Sequence, residues 1–163
     1  MSDQPPSVQT AALRGQLQLV HPPQQQPMEL IETHISWILL NGGFAYKIKK
    51  ALDLGFLDFS TLAKRKFYCA EEIRLNRRLA PQLYLEAIPI GGSVDAPLPG
   101  HLPAIEYAVR MRRFAVSDQM DALLATRQLR IEHMDRLAGV LARFHAGLPP
   151  ADPASAFGTA DAI

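Results

Sequence analysis

The residues best suited to chemistry in this chain are Lys47 and the pair Glu71 and Glu72. Lys47 lies in Asn41-Gly42-Gly43-Phe44-Ala45-Tyr46-Lys47-Ile48-Lys49-Lys50, and the two glutamates lie in Tyr68-Cys69-Ala70-Glu71-Glu72-Ile73-Arg74-Leu75-Asn76-Arg77-Arg78-Leu79. The first stretch alternates as a strand does. Phe44, Tyr46 and Ile48 fall on one face, and Ala45, Lys47 and Lys49 on the other. The second is a charged helix. A lysine on a strand and a glutamate on the helix that follows make the pair with which nucleotide phosphate clamps are built. Glu71 and Glu72 are about 100° apart around the helix, so only one can face the strand. Intrahelical pairing with Arg74 or Arg78 is the competing use of either. For Lys47 the competing use is a surface strand carrying solvated lysines, and Lys49 shares its face as the second candidate.

No other cluster carries chemistry. His21, His101, His133 and His145 are scattered, without metal-ligand spacing. His145 falls at a helix end, where an imidazole meets the last carbonyls. Cys69 falls on the helix with nothing to activate it as a nucleophile. Asp58 and Asp135 have no partner pattern for acid–base work. Arg74, Arg77, Arg78, Arg110, Arg112 and Arg113 have acidic neighbours and form a solvated, salt-paired surface.

The elements that must position these residues are legible in outline. The 163 residues include 17 basic and 16 acidic side chains, a net charge of +1, which argues against bulk binding of nucleic acid or an anionic membrane. Hydrophobic residues make up 48%, enough for one globular domain or a large lobe. One cysteine allows no internal disulfide, and no apolar run reaches the ~20 residues that cross a bilayer. The N-terminal residues do not resemble a signal peptide, and a cytoplasmic location is expected.

The pattern predicts an N-terminal helix over 8–20 in a Pro/Gln-rich lead-in (1–27). Three strands follow, near Glu29–Thr33, Ile35–Leu40 and Phe44–Lys50, with Asn41-Gly42-Gly43 as a hairpin turn. A helix over 62–79 comes next, capped by Asp58, Ser60 or Thr61 and stopped by Pro81. Its apolar positions are Leu62, Phe67, Ala70, Ile73 and Leu79. Strands near 83–90 and 105–114 flank a Gly/Pro-rich loop, 91–103. Helices near 117–125 and 131–145 close the pattern, the second with a stripe of Met134, Leu137, Leu141 and Phe144. Pro149, Pro150 and Pro153 open a small-residue tail. The fold class is α+β.

Several stretches resemble one family. Thr33-His34-Ile35-Ser36-Trp37, Ala45-Tyr46-Lys47-Ile48-Lys49-Lys50, Gly55 to Leu62, Glu71 to Pro81 and Glu106-Tyr107-Ala108-Val109-Arg110-Met111-Arg112-Arg113-Phe114 are similar to the N-lobe of bacterial aminoglycoside-phosphotransferase-like proteins of the kinase fold, the group often fused to a P-loop ATPase domain. Leu137 to Gly147 resembles the helix before the catalytic loop. The resemblance implies a five-stranded antiparallel sheet with one packed helix over 28–116 and the helical start of a C-lobe over 117–147, and the proline-bearing composition of 148–163 reads as a linker or disordered tail.

It further implies ATP as the bound cofactor. Lys47 would reach the α and β phosphates, held by Glu72 or Glu71, and Ala45 would leave flat space for adenine. Met111, Arg112 and Arg113, following the fifth strand, would be the hinge whose backbone recognises the base. His34 and Ser36 stand where a phosphate loop belongs. No glycine-rich loop precedes Lys47, and neither the catalytic-loop aspartate nor the metal-binding aspartate occurs. The expectation is a truncated ATP-binding lobe, silent alone. Mg²⁺ would bind only with a complete C-lobe. Its partners would be that C-lobe, a P-loop ATPase domain, or its own exposed apolar surface through self-association. The alternative is a non-catalytic protein-interaction module with a remnant kinase-like fold.

Overall fold

A computed structural model describes residues 29–93, 97–150 and 152. The helix expected over 8–20 and most of the tail lie outside these residues. The chain divides into two compact units between Phe114 and Ala115.

The first unit is mixed α+β. Its strands are β1 (Glu29–Glu32), β2 (Ser36–Asn41), β3 (Phe44–Lys49), β4 (Tyr84–Gly92), β5 (Pro97–Pro99) and β6 (Glu106–Arg112), and helix α1 (Leu62–Asn76) is inserted after β3. The sheet runs β1-β2-β3-β6-β4-β5, every pairing antiparallel. Six strands stand where five were expected. The added one, β5, comes from the stretch expected to be loop. Two of its three residues are proline, which cannot donate to a ladder, so its sequence does not look like a strand. At the sheet edge, paired only with β4, that defect is tolerated.

The β2–β3 hairpin closes as its residue types require. Asn41 pairs with Phe44, and Gly42 takes a φ of 54° at the first turn position. Alternation in β3 then divides the sheet. Tyr46 and Ile48 join Leu39, Ile88, Ile90 and Ala108 in the main apolar cluster, with Leu30, Trp37 and Phe44 at its margin. Ala45, Lys47 and Lys49 take the opposite face.

Helix α1 packs against β4 and β6. Of the three proposed caps, Thr61 is the one used, its side chain accepting from Lys64 N at 3.2 Å. Asp58 instead accepts from Ser60 and Lys64. The helix ends at Asn76, short of the expected Leu79, and Pro81 is not what stops it. The Asn76 side-chain amide donates to the Glu72 carbonyl at 2.8 Å, and the chain tightens through Arg78 N to Leu75 O and Leu79 N to Asn76 O.

The buried residues of α1 are Arg65 and Cys69. This corrects the expected apolar stripe, since Phe67, Ala70 and Leu79 are exposed. The sheet-facing edge of this helix is largely polar, and it docks through ion pairs.

The second unit holds a 3-10 turn (Val116–Asp118), helix α2 (Met120–Ala125) and helix α3 (Ile131–Ala146). The single helix expected near 117–125 is thus two short pieces. In α3 the stripe of Met134, Leu137, Leu141 and Phe144 is present, but no residue of the helix is buried.

Candidate functional site

Lys47 and Glu72 meet. The Lys47 ammonium donates to Glu72 Oε1 at 2.9 Å, across 25 residues of sequence. Strand alternation turns Lys47 toward α1, and the helix turns Glu72 toward the strand. Glu71 points elsewhere and binds Arg74 through two bonds, at 2.9 and 2.7 Å. The choice between the two glutamates follows from how α1 is rotated about its axis.

Lys49 joins the same carboxylate, donating to Glu72 Oε2 at 2.6 Å. Both oxygens of Glu72 are therefore engaged, one by each lysine. Burial raises the Glu72 carboxyl, but the bonds from Lys49 and then Lys47 outweigh it and hold it below the usual carboxylate value. Burial pushes the Tyr84 hydroxyl up, as does the nearby Glu72 charge, with Lys47 opposing. Burial likewise pushes the Cys69 thiol up to about 12, so it is a neutral packing group.

A second ion pair, missed in the sequence, anchors the start of the helix. Arg65 Nε donates to both Glu106 oxygens, at 2.8 and 3.0 Å, and its Nη1 donates to the carbonyls of Phe59 and Ser60. Glu106 Oε1 also accepts from Tyr107 N at 2.9 Å. The available signal was the i, i+4, i+7 spacing of Arg65, Cys69 and Glu72, which lies on one helix face. A search for apolar stripes passes over it.

Of the remaining candidates, Ala45 shares the strand face of Lys47 and stands opposite Met111. It is buried in β3 and paired on its other side with Leu40. Met111 and Arg112 lie within β6 and do not follow it. Arg112 N donates to Leu83 O and Arg113 N to Gly43 O, each at 2.8 Å. The amides of two of the three expected hinge residues thus bond to neighbouring carbonyls of this unit, because the strand runs on to Arg112. His34 is an exposed turn residue. Thr33 Oγ1 takes the Ser36 amide at 3.0 Å, so that turn closes on itself. Ser36 is buried, with its hydroxyl unpartnered.

Among the described residues, no group of three His, Cys, Asp or Glu could hold a metal ion, and no helix is long and apolar enough to cross a membrane.

No known family profile and no solved structure matches the chain. An uncharacterized protein of Mycobacterium bovis and one from each of two Mycobacterium tuberculosis strains are 37% identical to it over 127 residues, which is 77% of this chain. The chain spans 24% of the length of each of these relatives.

Proposed function

We propose that this chain supplies the nucleotide-binding lobe of a kinase-like phosphotransferase, with Lys47 holding the phosphates of ATP and Glu72 holding Lys47. The supporting observation is an ammonium that solvent can reach, anchored by a nearly buried carboxylate. The side chains are 26% and 12% exposed. The carboxylate comes from the one helix inserted between β3 and β4. Such an ammonium neutralises phosphate charge where the surroundings are partly desolvated, and Coulomb attraction there exceeds that in water.

The reading rests on the phosphate grip, since the Arg112 and Arg113 amides of the expected hinge bond to the Leu83 and Gly43 carbonyls. Phosphoryl transfer also needs metal ligands and an aspartate that orients the nucleophile, and this reading assigns neither to these residues. Mg²⁺ enters it only with ligands from a C-lobe. One observation favours a second reading, a non-catalytic interaction module: Phe56 is 87% exposed at the tip of the loop before α1.

Titration of the purified chain with ATP, followed by NMR shift changes, separates the two. The expected result is binding no tighter than about millimolar, ~4 kcal/mol, weakened at least tenfold in Lys47→Met, with no turnover of ATP. Equal affinity in Lys47→Met and wild type would remove the nucleotide reading.

A further inference from the structure

Glu72 holds two ammonium groups, and their exposures divide the work. Lys47 is 26% exposed and Lys49 is 6% exposed, on opposite oxygens of a carboxylate that is itself 12% exposed. One lysine on one carboxylate is a neutral pair. Two lysines on one carboxylate carry a net charge of +1, and only Lys47 presents it to solvent. Lys49 also keeps Oε2 occupied, so Glu72 cannot turn both oxygens onto Lys47. The Phe59 ring, 4.8 Å from the Lys49 ammonium, fixes Lys49 from the loop before α1. The other titratable groups beside Glu72 are Cys69 on its own helix and Tyr84 on β4.

We propose that Lys49 is a positioning residue for the phosphate grip, occupying the second oxygen of Glu72 so that Lys47 keeps uncompensated charge and the site favours di- and triphosphate chains over monophosphates. The proposal rests on the nucleotide reading above.

The test uses the whole chain as wild type, Lys47→Met, Lys49→Met and Lys49→Arg, each titrated with ATP and with AMP by NMR. The Glu72 side-chain carboxyl is followed separately through acid titration without ligand. Lys49→Met is expected to bind ATP about tenfold more weakly, the effect of one unit charge a few ångströms from the phosphates. AMP affinity should change by about threefold or less, since AMP carries about half the charge and Coulomb energy is linear in it. Lys49→Arg should recover most of the ATP affinity, and Glu72 should titrate higher in Lys49→Met than in wild type. A merely structural role would weaken ATP and AMP alike, which overturns the proposal.

Wild-type ATP affinity in Lys49→Met also overturns it, while a loss confined to Lys47→Met leaves the nucleotide reading standing. Equal ATP binding by wild type and Lys47→Met removes that reading, and this proposal with it. Where Lys49→Met loses its circular dichroism signal, Lys49→Gln carries the test. It keeps a donor for Oε2 and drops the charge, and unchanged ATP affinity in it overturns the proposal.

Discussion

Removing Arg65 should cost the first unit a large share of its stability. The guanidinium makes two charge-assisted bonds to Glu106 and two to loop carbonyls, and the paired side chains are 9% and 6% exposed. In Arg65→Met the Glu106 carboxylate stays nearly buried, with the Tyr107 amide as its remaining partner in the structure. Stranding one member of a buried pair costs about 3–5 kcal/mol. Against a total of about 5–15 kcal/mol for a domain, that is a large fraction. At about 4–8 °C per kcal/mol for a unit of this size, Tm should fall by more than about 12 °C. The double variant Arg65→Met/Glu106→Leu, which leaves no charge behind, should be more stable than Arg65→Met. Urea unfolding followed by Trp37 fluorescence measures both, because Trp37 is the chain's one tryptophan and lies in β2 of this unit. A loss below about 1 kcal/mol in Arg65→Met, or a double variant whose loss equals the sum of the singles, would refute the argument.

Acid should weaken the Glu72 cluster in a defined direction. The Glu72 carboxyl lies below its reference value of 4.5 in the folded protein, so its contribution is present above about pH 4.5 and is lost as pH falls through the lowered folded value. Glu32, Asp58 and Glu71 are lowered too, so the readout is the gap in Tm between wild type and Glu72→Gln. That gap should narrow from pH 7 to pH 3, and a constant gap contradicts the assignment. Cys69, buried and pushed up to about 12, should resist iodoacetamide at pH 8 and react fully in urea, as mass spectrometry would record. Fast labelling of the folded chain counts against its placement. Gly91→Ala should destabilise by about 1–3 kcal/mol, since the new methyl would sit 2.6 Å from the His101 carbonyl oxygen and 3.0 Å from that of Pro103. A neutral effect on the urea midpoint would place that loop elsewhere.

The sequence alone determined the features that depend on a few neighbouring residues. Gly42 specifies the β2–β3 hairpin because the first position of this tight turn needs a positive φ, 54° here. The alternation of Phe44 to Lys49 determines that Lys47 and Lys49 share a face, since the side-chain period of a strand is two. Thr61 was among three possible caps because only a short oxygen-bearing side chain reaches the first-turn amides.

Tertiary structure decided the rest. Glu72 rather than Glu71 meets Lys47 because the helix docks with the edge of Arg65 and Cys69 against the sheet, and that rotation is set by partners far away in sequence. One of those partners is Glu106, 41 residues from Arg65. The recruitment of Lys49, the commitment of the Arg112 and Arg113 amides and the proline-rich edge strand β5 all depend on which strands lie side by side. A strand that is mostly proline has no local signal to give. Only the free edge of β4, with its unpaired backbone groups, makes it one.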